Sequence, residues 1–120
     1  MKTQSSSHEF LLFFRDTQLA KRLSPQEMQA LTVELIQWVE RLRKQGKIKD
    51  GRPLEQGGSL ISHKSGGLKA SAPLIASEQT ITAFSLLKVR HLNEATEIAK
   101  GCPVLKYGST IEVRRVAQKD

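Results

Sequence analysis

Apolar residues run without interruption from Phe10 to Phe14, between a polar start and Arg15. Neighbouring positions on a strand point to opposite faces, so an unbroken apolar run calls for burial on both sides. HEFLLFF is therefore expected to form a strand. Helices of its own chain can cover one face, and a chain this short has little left for the other, which points to a partner subunit. The next stretch, SPQEMQALTVELIQWVERLRKQG, changes period. Met28, Leu31, Leu35, Trp38, Val39 and Leu42 recur at helical spacing and form one stripe. Ser24 suits the N-cap, Pro25 the first helical position and Glu27 the third position of a capping box, and Gly46 is placed to end the helix left-handed. Trp38 lies on the stripe, so it is expected to pack in the core.

The middle of the chain is weaker in pattern. IKDGRPLEQGG predicts a short strand with a turn at Asp50-Gly51, and Pro53 argues against a central strand. SLISHKSGGLKAS predicts a hairpin turning at KSGG. In QTITAFSLLKV, Ile81, Ala83, Leu87 and Val89 share one face, while Phe84 and Leu86 share the other; this strand too is expected to be buried on both sides. HLNEATEIAKG predicts a short helix capped by Asn93 and stopped by Gly101, with Pro103 blocking continuation, and STIEVRRV predicts a closing strand. The order strand, helix, strand or hairpin, strand, helix, strand is an α+β, ferredoxin-like split βαβ pattern. Its sheet carries helices on one face only, so sheet-to-sheet homodimerisation is expected to cover the other.

At 120 residues the chain is one domain in size, expected over residues 8–117 with short tails at 1–7 and 118–120. No apolar run approaches the roughly 20 residues of a membrane span, and MKTQSSSHEF lacks a continuous signal core, so a cytoplasmic protein with no membrane partner is expected. The single cysteine, Cys102, excludes an internal disulfide and a Cys-rich zinc site. It follows a helix C-terminus, where the dipole disfavours a thiolate, and is expected to be a small half-buried residue in a turn.

The net charge is +7, with Arg41, Arg43, Lys44, Lys47, Lys49 and Arg52 clustered. Cations at a helix C-terminus also complement its dipole. Aromatic residues are few and needed for the core, there is no stacking platform, and no helix-turn-helix signal occurs; nucleic acid is not the expected partner. A small anionic ligand is a second possibility. Arg15, Lys69, Ser71, Lys88 and Arg90 come from strands or strand ends, and together they would make a cationic pocket in the intersubunit cleft. For acid-base chemistry, Asp16 is the best carboxylate, with His8 or His91 as partner; against that stands a plain surface ion pair with Arg15. His63 falls in the hairpin. No two histidines have the helical i, i+4 spacing of a zinc motif, the glycines lack phosphate-loop placement, and no nucleophile elbow occurs, so neither metal nor cofactor is expected.

FLLFFRD, LSPQEMQAL, DGRPLEQGG and FSLLKVRHLNEATEIAKGCPVLKYGSTIEVRRV together resemble the YCII-related, or DGPF-domain, family from about Glu9 to Val116. The most specific phrase is the tail, where Glu94-Ala95, Cys102-Pro103, Tyr107-Gly108 and Glu112-Val113-Arg114 stand in the family's positions. The resemblance implies a ferredoxin-like fold assembled as a dimeric α/β barrel, and a regulatory setting, since relatives are often encoded beside alternative sigma factors. The signature itself is degenerate. Pro73 and Phe84 match, but Ser71, Ala72 and Leu74 replace aspartate, glycine and phenylalanine, and Ala76 and Glu78 replace an acid and a lysine. The histidine that relatives in the YCII branch carry near the first strand-helix connection has no counterpart in RDTQLAKRLS, although Asp16 is present. The expectation is a non-catalytic binding or regulatory protein, the alternative being a divergent lyase- or hydrolase-type enzyme using Asp16 and a histidine.

Overall fold

The computed structural model describes residues 7 to 71 and 80 to 118. The degenerate signature from Ala72 to Glu78, and all of the N-terminal tail but Ser7, lie outside them. The chain forms β1 (His8–Arg15), α1 (Leu19–Arg22), α2 (Pro25–Lys44), β2 (Ile48–Pro53), β3 (Leu60–Lys64), β4 (Gly67–Ser71), β5 (Ala83–Val89), α3 (Leu92–Lys100), a 3-10 turn (Pro103–Tyr107) and β6 (Thr110–Arg115). Four strands make an antiparallel sheet in the order β2-β5-β1-β6, and β3 and β4 make a separate hairpin. Without that hairpin the order is β-α-β-β-α-β, the ferredoxin-like α+β pattern expected from the sequence.

Register decides which residues face the helices. Phe10 pairs with Leu87 and Leu12 with Ser85, all on the helix face. Phe10, Leu12 and Leu87 are wholly buried there, packed with Leu31, Trp38 and Leu42 of α2 and Ala95 and Ala99 of α3. The opposite face carries Leu11 opposite Leu86 and Phe13 opposite Phe84, flanked by Arg114 and Glu112 of β6. These four apolar side chains are partly exposed in the single chain. The double-faced burial read from the two apolar strands is thus complete on one side only.

Local devices hold α2 in place. Ser24 Oγ accepts the Glu27 N–H at 3.1 Å while the Ser24 N–H donates to Glu27 Oε1 at 2.9 Å, a complete capping box, and Gly46 leaves the helix at φ 72°. Three expectations need correction. Asp50-Gly51 is not a turn but the middle of edge strand β2; a register shift between Ile48 and Asp50 absorbs the irregularity, and the Asp50 carboxylate takes the Gly51 N–H at 2.8 Å. The cap of α3 is His91, whose Nδ1 accepts the Glu94 N–H at 3.1 Å, rather than Asn93. Cys102 is fully buried, not half-buried, and burial pushes its thiol up to about 11, as expected of an inert core cysteine.

Replacing Ser24 separates side-chain capping from backbone preference. Ser24→Ala is expected to lower stability by about 1 kcal/mol and Ser24→Gly by only a few tenths. Urea unfolding of both variants measures this; no loss in either would show that the capping box is not what anchors α2.

Candidate functional site

Asp16 stands at the first residue past β1, and its carboxylate is nearly enclosed, with 9% of the side chain exposed. Every acceptor position on it is taken. Oδ1 accepts the Gln18 N–H at 3.0 Å and Arg22 Nη1 at 3.0 Å. Oδ2 accepts the Ser109 hydroxyl at 2.6 Å and Arg22 Nη2. Arg22 continues to the Tyr107 carbonyl through Nε at 3.1 Å and Nη2 at 2.6 Å. One ion pair therefore ties the β1–α1 connection to the turn before β6. Gly108 in that turn has φ 91°, which a side chain would strain, and it lies directly against the Arg22 guanidinium. The Arg22 hydrogen bonds hold the Asp16 carboxyl below the ordinary carboxylate value; burial opposes them, and Ser109 and the Gln18 amide add to the lowering.

Two cavities meet at Asp16. One, of about 390 Å³, lies between α2 and the β2–β5 edge of the sheet. Phe14, Leu35, Trp38, Val39 and Val104 give it apolar walls, and Arg43, Asp50 and Arg52 also line it. Its floor is built from small residues on the helix face of the sheet: Gly51 and Ser85 are paired in register, as are Pro53 and Ala83. A side chain at Gly51 would press on Ser85 Oγ at 3.1 Å and the Phe84 carbonyl at 3.2 Å, so the glycine permits the close strand approach there. The second hollow, about 680 Å³, is polar and lined by Arg15, Thr17, Gln18, Arg22 and Glu112 among others. Arg15 donates to Glu112 at 2.5 Å, and Arg114 reaches the other carboxylate oxygen at 3.1 Å, so these cations hold the Glu112 carboxyl below its usual range.

The candidate residues read from the sequence do not converge within one chain. Arg15 sits at one end of the open sheet face, in its pair with Glu112. Lys88 sits at the other end opposite Glu9, and Arg90 lies just beyond it, its N–H donating to Glu94 at 3.0 Å. Lys69 and Ser71 belong to the β3–β4 hairpin. Asp16 meets neither candidate histidine. His8 is paired with Val89 at the far end of β1, eight residues or about 26 Å from Asp16 along the strand. There its Nδ1 lies 3.0 Å from Arg115 Nη2 and 3.1 Å from Gln118 Nε2. His91 caps α3 at that same end, and His63 is exposed on β3. Nor is Asp16 an ion pair with its neighbour Arg15; its partner is Arg22, six residues on. Sequence reasoning missed Arg22, Ser109 and the cavity floor. The floor had a signal: on the helix face of β5, small Ala83 and Ser85 precede large Leu87 and Val89. Among the described residues, no three His, Cys, Asp or Glu side chains gather where they could hold a metal, and no helix is long and apolar enough to cross a membrane.

The lowered carboxyls give an acid-side signature. A depressed folded-state pKa contributes stability that is present above the unfolded value and lost as pH falls through the folded one. The ordinary values are 3.8 for Asp16 and 4.5 for Glu112 and Glu94, all three being lowered here, so stability is expected to fall from about pH 4.5 downward. Asp16→Asn is expected to cost about 1–3 kcal/mol at neutral pH and to flatten that acid-side loss. Thermal unfolding from pH 2 to 7 would show it; an unchanged slope in the variant would remove Asp16 from the account.

No family model and no curated protein matches the chain. A solved structure does: 5-chloro-2-hydroxyhydroquinone dehydrochlorinase from Burkholderia phenoliruptrix AC1100, in complex with 2,5-dihydroxybenzoquinone. It superposes with a TM-score of 0.57 at 17% identity, covering 92% of this chain and 95% of that one. At that identity the likeness speaks for the α+β fold and for nothing finer.

Proposed function

We propose that this chain is a homodimeric, non-catalytic binding protein with a regulatory role in a reducing cytoplasm, and that its ligand enters the cavity between α2 and the β2–β5 edge. The observation that carries the reading is an apolar cavity whose inner carboxylate has all its acceptor positions occupied. A group poised for proton transfer needs a free lone pair facing the substrate and a pKa near working pH. Asp16 has its lone pairs committed and its pKa lowered. A general acid-base partner is also out of reach, since His8 and His91 stand at the other end of the sheet. What the cavity offers instead is apolar wall area, with Arg43 of α2 among its lining residues. That combination suits a small, mostly apolar molecule bearing one anionic or phenolic group. The anionic ligand expected from charge alone is kept, but its site moves from the intersubunit cleft to this cavity.

Dimerisation rests on the open sheet face. Leu11, Phe13, Phe84 and Leu86 form its apolar centre, and both signs of charge surround them, with Lys88 opposite Glu9 and Arg15 beside Glu112. A face with paired opposite charges is suited to two-fold self-association.

The likeness to a dehydrochlorinase favours a second reading, a divergent enzyme acting on a hydroxylated aromatic. One experiment separates the two. The purified protein is titrated with 2,5-dihydroxybenzoquinone and a panel of hydroxybenzoates by thermal shift and calorimetry, and chloride release from 5-chloro-2-hydroxyhydroquinone is followed in parallel. Saturable binding is expected for at least one compound, lost in Ala83→Leu, which fills the cavity floor; no chloride release is expected. Release that disappears in Asp16→Asn would favour the enzyme, and absence of saturable binding would overturn the cavity as the site.

A further inference from the structure

The hairpin β3–β4 stands apart from the body. It packs on itself and on no other element to a comparable extent. The Cα radius of gyration is 17.1 Å, against about 13.5 Å for a compact chain of this length. The extents of 56 × 47 × 18 Å put the excess in the plane of the sheet, since 18 Å is one sheet and one helix layer thick. The three most exposed large apolar side chains described are all on this hairpin: Leu60 at 59%, Ile61 at 67% and Leu68 at 75%. Register groups them. Ile61 opposite Ala70 and His63 opposite Leu68 share one face, while Leu60 and the Ser62–Lys69 pair share the other. A two-stranded hairpin is marginal by itself in water and needs a further surface to pack on.

We infer that the β3–β4 hairpin is an arm that packs against a second copy of this chain, enlarging the two-fold interface of the open sheet face. This rests on the dimer proposed above. Area argues for the second copy. A stable dimer needs about 800 Å² from each partner. Leu11, Phe13, Phe84 and Leu86 are each already more than half covered, and even a fully exposed phenylalanine offers only about 200 Å². The apolar centre of the open face therefore falls short alone, and the arm adds the three most exposed large apolar side chains among the described residues. Position argues the same way. The arm leaves the body after Pro53 and the chain returns at Ala83, its register partner on β5, with the Leu54 N–H still bonded to the Thr82 carbonyl at 2.9 Å. It springs from the strand pair that carries Phe84 and Arg52 on the open face, so a copy stacked there lies beside it. The charge of the arm argues against its pairing with another arm: from Leu60 to Ser71 it carries Lys64, Lys69 and His63 and no carboxylate. The open face of the body carries both signs, with Asp50, Glu9 and Glu112 interspersed among Arg52, Lys88, Arg15 and Arg114, and so offers carboxylates that another arm does not.

The test is sedimentation equilibrium of the full chain and two variants, each checked by circular dichroism for an intact fold. Phe13→Glu strikes the open face; Ile61→Glu with Leu68→Glu strikes the arm. The wild type is expected to sediment as a dimer, and the arm variant to dissociate at least tenfold more readily with its fold retained. Hydrogen exchange gives an independent reading, in which arm amides are protected at dimeric concentrations and lose protection on dilution. If Phe13→Glu dissociates while the arm variant dimerises like wild type and its amides exchange freely, the arm inference fails and the open-face dimer stands. A wild type that stays monomeric at all concentrations would overturn both.

Discussion

β1 is hydrogen-bonded along both edges, to β5 on one side and β6 on the other, and this constraint organises everything else. A strand in that position has no route to water except through its two faces. Phe10 and Leu12 commit one face to the helices, and α2 and α3 lie where they can cover it. Leu11 and Phe13 commit the other face to a cover that the described residues do not supply. The same strand ends at Arg15 and Asp16, so the residues that follow it are delivered to a fixed point beside β6. The Asp16–Arg22 pair acts at that point, locking α1 to the turn from Tyr107 to Ser109.

Cavity and carboxylate are two consequences of one local choice. Where β2 meets β5, the helix-facing positions are glycine, proline, alanine and serine, so α2 spans a floor with no side chains tall enough to meet it. Further along the same strands, Ile48 opposite Leu87 fills the gap and the core is dense. The sheet is thus packed at the end where His8 and His91 lie and hollow at the end where Asp16 lies. A hollow beside a charged group would let water reach the charge; instead Ser109 and Arg22 saturate it, and among the described residues no buried side-chain polar atom is left without a partner.

Periodicity made the fold legible. The capping box of α2, its apolar stripe, the two doubly apolar strands and the KSGG hairpin are all local patterns with one physical meaning each. Errors fell where a local rule had a tertiary competitor. Asp50-Gly51 carries a turn signature, but pairing with β5 and a bulge held it extended. Asn93 is a good cap by type, yet His91 is the residue in extended conformation with a ring nitrogen aimed at Glu94. The site was less legible because its members are distant in sequence. Nothing local announces that Arg22 will choose Asp16 six residues back rather than a nearer acid, or that Ser109 will close the same carboxylate from 93 residues away. The cations Arg15, Lys88 and Arg90 could be assigned to strands but not to opposite ends of a sheet, because that needs register.

Fold likeness and site geometry answer different questions, and here they diverge. The superposition with a dehydrochlorinase shows that this backbone arrangement accommodates chemistry on an aromatic ring in another protein. Chemistry resides in particular side chains, however, and one backbone serves many functions. In this chain the carboxylate at the cavity is engaged on both oxygens, and the described histidines are occupied elsewhere or exposed. Freeing Asp16 for proton transfer would break its bonds to Arg22, Ser109 and Gln18 and so release the end of β1 from α1 and from the β6 turn. A group that carries that much of the local structure is poorly placed to change partners during a reaction. The same rigidity benefits a binding site, because a cavity with fixed walls loses little entropy when a ligand enters. On the reading proposed above, the interaction that positions the first helix is also the one that turns this end of the fold from reaction towards recognition.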